Sequence, residues 1–167
     1  MGQIVDEVKL WNTPLIGAYM LWKFTSGYSQ AHPNGDAPIG ILHFLANGIL
    51  TSKKLRDPIS NQRENLQSYI RSFEERKDAD LLLSIQARVA EKRNFTMAAI
   101  DIAVLKGLLY WDLNEGKLYP KNVLNSPTRG NAIKSIFVQE GRKAEILGKW
   151  FAQHDLHAIS NYLKVIL

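Results

Sequence analysis

Hydrophobic residues recur along most of the chain at helical spacing, and one early segment is apolar almost without interruption. From Pro14 to Phe24 nearly every side of the predicted helix is hydrophobic, so this helix should lie at the centre of the fold. Thr13 and Pro14 predict where it begins, because a Thr hydroxyl can accept a bond from a free amide and Pro is favoured at the first helical position. The pattern therefore predicts a buried central helix with a defined start.

A second, shorter apolar helix is predicted after a loop that is rich in Pro and Gly. The loop covers His32 to Pro38, and helical spacing continues from Ile39 to Ala46. Asn47 and Gly48 follow directly, and both residue types are common just after the end of a helix. We therefore expect this helix to end there.

Two amphipathic helices are expected in the middle of the chain. Ser60 can cap the first, from about Asn61 to Lys77, and Asp78 or Asp80 can start the second. Each predicted helix has its apolar side chains on one face, which indicates packing against the rest of the fold. The apolar positions are Leu66, Ile70 and Phe73 in the first helix and Leu81, Leu82, Ile85 and Val89 in the second.

The segment after Thr96 changes from helical spacing to alternation. A predicted helix ends near Gly107, and the alternating residues that follow lead to a turn at Asn114 to Gly116 and a return strand from Lys117 to Tyr119. A helix followed by a short hairpin is the order in which a winged helix-turn-helix presents its recognition helix and its wing. The sequence therefore predicts a winged-helix-like segment over about residues 80–121.

The last part of the chain, from about residue 129 to residue 167, is predicted to be helical. Apolar residues keep helical spacing in three stretches, and Asp155 can cap the last of them. The three apolar sets are Ile133, Ile136 and Phe137, then Ile146, Leu147, Trp150 and Phe151, then Leu156, Ile159 and Leu163. Together the elements predict one mainly α domain over residues 1–167, with a small β-hairpin and a winged-helix-like helical architecture.

The predicted helix in front of the hairpin lacks the side chains of a DNA-reading helix. Base recognition needs Arg, Lys, Asn or Gln on an accessible face, and phosphate contacts need neighbouring basic residues. Between Thr96 and Leu109 the only charged residues are Asp101 and Lys106. Apolar side chains surround this helix, so we expect it to be buried in the domain or in a partner.

Composition and charge fit a folded protein that contacts nucleic acid or an acidic protein surface. The 167 residues are 46% hydrophobic and 22% charged, and the formal net charge is +5. This length suits one domain with a core of its own, and the charge permits either partner. Arg88 and Lys92 should share the solvent face of their predicted helix. Basic clusters are most often solvated faces, but six residues are candidates for non-specific contact with nucleic-acid phosphates: Lys53, Lys54, Arg56, Arg88, Lys92 and Arg93.

No catalytic, cofactor-binding or metal-binding residue can be named from the sequence. Cysteines are absent, and the spacings of a P-loop, a GxSxG nucleophile turn and an HExxH zinc helix do not occur. His154, Asp155 and His157 lie close together in the sequence, but a zinc site needs three or four clear ligands, and capping already explains Asp155. We therefore expect a protein without enzyme activity and without a cofactor.

The sequence contains no recognisable targeting or membrane-spanning segment. The first residues lack a basic stretch followed by an apolar one. The most apolar segment, Pro14 to Phe24, is about half of the roughly 20 residues that a bilayer requires. Together with the absence of cysteine, these features predict a cytoplasmic location and no contact with a membrane.

Large aromatic rings are numerous for a small helical domain, which predicts an exposed apolar patch where a partner binds. The hairpin is the expected place, with Trp111, Tyr119 and Lys117 as candidate interface residues. Trp111 and Tyr119 flank the turn from opposite strands, where a cross-strand ring pair can brace the hairpin. The alternative is that both rings fold inward beneath it.

Four segments together resemble the middle component of bacterial three-component ABC-ATPase systems, and the small subunit of Lamassu-like anti-phage defence is the most similar type. They are WNTPLIGAYMLWKFTSGY, GILHFLANGILTSKKLRDPI, MAAIDIAVLKGLLYW and LGKWFAQHDLHAISNYLKV. The resemblance implies a small adaptor with a winged-helix-like part. Such an adaptor joins a large SMC/Rad50-like ABC ATPase to an effector, often a nuclease. The resemblance implies no catalytic residue in this chain.

Two functions of other classes remain as alternatives to an adaptor subunit. A winged-helix DNA-binding transcriptional regulator fits the order of helix and hairpin. A small enzyme is the weaker alternative, because no nucleophile, metal cluster or phosphate loop can be named. If the chain is an adaptor, any DNA contact that it makes itself should be weak and independent of sequence.

Overall fold

The computed structural model describes residues 13–122 and 135–167, and within these ranges the chain forms eight helices and one two-stranded antiparallel sheet. The elements before the sheet are α1 (Pro14–Ala31), α2 (Gly40–Leu50), α3 (Lys53–Arg56), α4 (Leu66–Glu75), α5 (Ala79–Glu91) and α6 (Arg93–Leu105). They are followed by β1 (Leu109–Asp112), β2 (Lys117–Pro120), α7 (Ser135–Phe151) and α8 (Leu156–Leu163). The predicted class, mainly α with a small β-hairpin, is confirmed.

Helix α1 is the central element of the fold, as its apolar sequence predicts. It packs against both α6 and α7, and its side chains Leu21 and Phe24 are fully buried. Pro14 occupies the first turn as expected, but Thr13 makes no side-chain capping bond. The start of α1 therefore depends on the proline, whose fixed φ suits the first helical position.

Two glycines allow α1 and α7 to cross with their backbones in contact. A Cβ atom at Gly148 would overlap the carbonyl oxygen of Phe24, and a Cβ atom at Gly27 would overlap the carbonyl oxygen of Glu145. Close-packed interiors leave no space for such an atom, so any side chain here would push the two helices apart. The crossing therefore fixes α7 against the central helix.

Helix α2 does not end at Asn47 and Gly48, as predicted, but continues to Leu50. Both residues serve contacts with neighbouring helices. The Asn47 side-chain amide donates a hydrogen bond to the hydroxyl of Thr96 on α6 at 2.7 Å, and a Cβ at Gly48 would lie 3.0 Å from Cγ2 of Val89 on α5. The prediction is wrong because tertiary packing outweighs the local preference of Asn and Gly for helix ends.

Helix α4 begins later than predicted. Its cap is Asn65, whose side chain accepts a bond from the Ser68 amide at 2.9 Å, while the Ser68 hydroxyl faces the Asn65 amide in a reciprocal capping box. The region of Ser60 stays in turns, where Nε of Arg63 donates to the carbonyl of Pro58 at 3.0 Å. The reciprocal cap satisfies two free amides at once and so fixes the start of the helix at Asn65.

The aspartates predicted at helix starts stand directly before α5 and α8. Helix α5 begins at Ala79, after Asp78, and α8 begins at Leu156, after Asp155. Oδ1 of Asp155 accepts a bond from the Ala158 amide at 2.8 Å, so the predicted cap of the last helix is formed. Asp78 makes no such side-chain bond.

The C-terminal part differs from the three predicted stretches. Helix α7 is continuous from Ser135 to Phe151, and it joins Phe137 of the first predicted set to Trp150 of the second. Gly141 does not interrupt it, because a Cβ there would lie 2.8 Å from the ring of Tyr19 on α1 and the glycine thus serves packing. Ile133, with the rest of residues 129–134, lies outside the described residues.

The chain order of α5, α6, β1 and β2 agrees with the predicted helix-helix-hairpin order of a winged-helix-like segment. Assignment of this segment to the winged-helix fold stays a prediction, as does the single domain over residues 1–167. None of the helices described in residues 13–122 and 135–167 is long and apolar enough to cross a membrane.

Candidate partner interface

Strands β1 and β2 form the predicted hairpin, which closes through a tight turn. They are antiparallel, with Asp112 opposite Lys117 next to the turn. Oδ1 of Asp112 accepts bonds from the amides of Asn114 and Glu115 at 3.0 and 3.3 Å. Gly116 has a φ of 67°, a value that side chains disfavour. The aspartate and the glycine together shape the turn.

The loop between α1 and α2 holds the hairpin against the helices. The Leu118 amide donates to the carbonyl of Pro38 at 3.1 Å, and the Gly40 amide donates to the carbonyl of Gly116 at 2.9 Å. These two bonds lie on the edge of β2 that faces away from β1. That edge is therefore already paired, and the pairing fixes the orientation of the hairpin.

Ionic and polar bonds around Asp36 tie the same loop to β2. Nζ of Lys117 lies 2.7 Å from Oδ2 of Asp36 and 2.9 Å from Oε2 of Glu115, and the Tyr119 hydroxyl donates to Oδ1 of Asp36 at 3.3 Å. The bond from Lys117 lowers the pKa of Asp36, and the bond to Asp36 raises the pKa of Lys117. Lys117, a candidate interface residue, is thus already bonded within the protein.

Trp111 and Tyr119 lie on opposite faces of the hairpin, so the predicted ring pair between them is wrong. Trp111 stands opposite Leu118, and Tyr119 stands opposite Tyr110. The rings of Tyr110 and Tyr119 stack with their centroids 5.2 Å apart and their planes at 16°. Strand alternation turns Trp111 to the other face, where its ring approaches Gly40 at the start of α2.

Helix α6 is buried in the domain on one face only, and burial of its outer face in a partner stays a prediction. Its outer face carries Arg93, Met97, Asp101 and Leu105 at a spacing of four residues, and Leu105 is 84% exposed. Two of these side chains are apolar and one is acidic, so only Arg93 favours contact with DNA phosphates. The buried side chains of the inner face are Thr96, Ala99, Ile100 and Ala103.

Five of the six basic candidates for nucleic-acid contact keep access to solvent. Lys53, Lys54 and Arg93 are exposed, and Arg88 and Lys92 are half-buried. Nζ of Lys92 lies 5.3 Å from the centroid of the Phe95 ring, which is a cation–π distance. Contact between these residues and nucleic acid stays a prediction.

The guanidinium groups of Arg56 and Arg88 bond within the protein. Arg56 is 5% exposed, and its Nε donates to Oε2 of Glu140 at 2.8 Å. Arg88 donates from Nε to the carbonyl of Gly48 at 2.9 Å and from Nη2 to the hydroxyl of Thr51 at 2.8 Å. Arg88 is half-buried, as is Lys92, so the solvent face expected for the pair is only partly exposed, and burial lowers the pKa of Arg88. Its guanidinium group therefore donates to a carbonyl and a hydroxyl acceptor at the end of α2.

The histidines near the C-terminus make separate contacts. His154 packs edge-on against the ring of Tyr162 at 5.1 Å, and Nε2 of His157 lies 3.2 Å from the side-chain amide of Asn161. Asp155 between them caps α8. In the described ranges, no group of three or more His, Cys, Asp or Glu side chains is arranged to hold a metal ion.

Two residues of this region have roles that the sequence did not indicate. Asp36 was part of a predicted loop, and its partner Lys117 lies 81 residues away in the chain. Ile41 belongs to an apolar helix, yet it is 39% exposed. Only the Pro and Gly around Asp36 marked this loop as special, and no local signal identifies which strand it contacts.

The chain matches the model of a known protein family. The family model described as ABC-three component (ABC-3C) system Middle Component 3 matches residues 1–167. The match includes the hairpin, the loop that anchors it and the helices around them. No curated protein and no solved structure matches the chain.

Proposed function

The chain belongs to the ABC-three component (ABC-3C) system Middle Component 3 family, and on this premise we propose that it is a non-catalytic adaptor subunit. Membership makes it a component of a multi-subunit ABC-ATPase system, so other components of that system are its partners. In the proposed role it links an SMC/Rad50-like ABC ATPase to an effector of the nuclease type, within a Lamassu-like anti-phage defence complex.

The family match over residues 1–167 carries this proposal, and the surface of the fold supports it. Leu113 at the hairpin tip is 87% exposed, and Leu105 at the end of α6 is 84% exposed. Exposed apolar side chains on well-anchored elements are typical of protein–protein contact sites. The hairpin is anchored through Pro38 and Gly40, so it can meet a partner with little rearrangement.

The proposed role requires contacts from this chain and leaves the chemistry to other subunits. Its sequence has neither a P-loop nor cysteine, so we assign ATP hydrolysis to the ATPase and DNA cleavage to the effector. DNA that reaches the complex would be sensed mainly by those subunits. This chain would add at most weak, sequence-independent contacts.

A phage challenge tests the defence role directly. Cells that carry the complete three-component system should resist infection, and cells that lack only this chain should lose resistance. Resistance should return when the chain is supplied from a separate plasmid. Full protection in cells without the chain would contradict a required adaptor.

Assays of the purified chain test its lack of catalysis. We expect no ATP hydrolysis and no DNA cleavage by the chain alone in the presence of magnesium. Turnover that persists after rigorous purification, and that a single substitution in this chain abolishes, would show that it is an enzyme.

A further inference from the structure

An open apolar groove lies between α2, α5 and the hairpin. It has a volume of about 710 Å³, and its walls include Ile41 and Phe44 of α2, Val89 of α5 and Trp111 of β1. Ile41 is 39% exposed there, although it belongs to an apolar helix. A concave surface of this kind is suited to receive apolar side chains from another protein.

Close contacts within the fold hold the walls of the groove in place. A Cβ at Gly40 would lie 2.9 Å from the ring of Trp111, so the glycine lets this ring lie flush against α2. The amide of Ile166, which also lines the groove, donates to the side chain of Gln86 on α5 at 2.7 Å. The walls are therefore held by contacts that exist before any partner binds.

The charges at the groove indicate what kind of segment it accepts. Glu115 and Arg93 are the charged residues among those that line it. Glu115 lies 2.9 Å from Nζ of Lys117, which also pairs with Asp36 at 2.7 Å, so these three side chains together keep one net negative charge. Arg93 is exposed, and no acidic side chain within residues 13–122 and 135–167 pairs with it. An apolar surface next to an arginine without an acidic partner favours a ligand that is apolar and places a carboxylate at that arginine.

We propose that this groove is the docking site for an apolar segment of another subunit of the same three-component system, with an Asp or Glu of that segment bound to Arg93. This inference rests on the proposed adaptor function and adds the surface and the chemistry of the contact. A small-molecule site would need several converging polar groups, whereas the side chains here are apolar apart from Arg93 and Glu115.

The test uses the complete system expressed together, with a photo-activated cross-linking residue in place of Ile41. We expect a cross-link to a partner subunit, within a segment that contains apolar residues and an acid. The same cross-linker at Leu83 is the control, because Leu83 is 58% exposed on α5 but does not line the groove. It should give little or no cross-link to that segment.

Charge reversal tests the contact with Arg93. Arg93→Glu should reduce retention of the cross-linked subunit at least about tenfold, and changing the cross-linked acid to Lys should restore it. Lys54→Glu is the matched control, since Lys54 is also exposed but lies away from the groove. Thermal unfolding of each variant confirms that the fold is intact, and a surface change at Arg93 should leave the melting temperature nearly unchanged.

The outcomes separate this inference from the proposed function. If the complex assembles but Arg93→Glu retains its partner, or if position 41 cross-links only to its own chain, the groove assignment is wrong while the adaptor function stands. If the wild-type chain binds no other subunit, both the adaptor function and the docking site are wrong.

Discussion

His43 is fully buried between α1 and α2, and this burial favours the neutral ring. Nε2 lies 2.8 Å from the Thr25 hydroxyl, Nδ1 lies 3.3 Å from the carbonyl of Ile39, and the ring packs edge-on against Phe24. Burial lowers the pKa of His43 to about 4, although the backbone bond to Ile39 works in the opposite direction. The unfolded chain should titrate near the ordinary pKa of about 6.5.

This difference predicts that the protein loses stability in mild acid. Above about pH 6.5 the ring is neutral in both the folded and the unfolded chain, so its full contribution to the free energy of unfolding is present. As pH falls from there towards about 4, the unfolded state binds a proton that the folded state does not. This lowers the free energy of unfolding by about 3 kcal/mol in total. Urea unfolding between pH 4 and pH 7 measures how steeply the free energy of unfolding depends on pH. His43→Gln should make this slope clearly shallower.

A second histidine provides the control for this titration. His157 is exposed on α8, so His157→Gln should leave the slope as it is in the wild type. An equally steep slope in His43→Gln would show that other groups govern the acid sensitivity.

At the scale of elements, the crossing of α1 and α7 depends on the absence of side chains. We expect Gly148→Ala to lower the free energy of unfolding by about 3 kcal/mol or more, because its Cβ would overlap the backbone of Phe24. Gly35→Ala is the control, since a Cβ there meets open space and adds only the strain of a positive φ, about 1 kcal/mol. Equal losses in the two variants, measured by urea unfolding, would contradict the close crossing.

The hairpin should depend on Asp36 for its rigidity more than for its folding. Asp36→Asn removes the charge that Lys117 contacts at 2.7 Å and weakens the link between the loop and β2. We expect faster hydrogen exchange at the amides of Leu118 and Gly40, with little change in melting temperature. Glu115→Gln leaves the Asp36 contact in place and should change exchange much less. Unchanged exchange in Asp36→Asn would show that the backbone bonds alone hold the hairpin.

The outer face of α6 predicts weak DNA binding. Its side chains Met97, Asp101 and Leu105 do not favour contact with phosphates, so binding should come from scattered exposed cations such as Lys53 and Lys54. We expect low affinity, no preference between sequences and a steep loss of binding with added salt. Fluorescence anisotropy with unrelated duplexes tests this, and a salt-resistant nanomolar preference for one operator would instead support a transcriptional regulator.

At the scale of the whole molecule, the sequence predicts the class of the fold and most element positions, because hydrophobic spacing determines which faces are buried. It misplaces features that depend on distant partners. Gly48 suggests a helix end, but it packs against Val89. The ring that stacks on Tyr119 belongs to Tyr110 instead of Trp111. The latter error concerns strand register, since a shift of one residue moves a side chain to the other face.

The candidate interface was predictable only in outline, for the same reason. The hairpin and its large rings can be identified from turn residues and alternation. The groove beside it combines Ile41, Val89 and Trp111 from three elements that are separated along the chain. No local pattern brings these residues together, so their common surface could be found only from the fold.

We propose that this chain connects the ATPase to the effector, and native mass spectrometry of the reconstituted components tests this proposal most directly. With all three components present, we expect one assembly that contains this chain together with both partners. When this chain is omitted, the ATPase and the effector should appear as separate species. An ATPase–effector assembly that forms equally well without this chain would contradict the adaptor role.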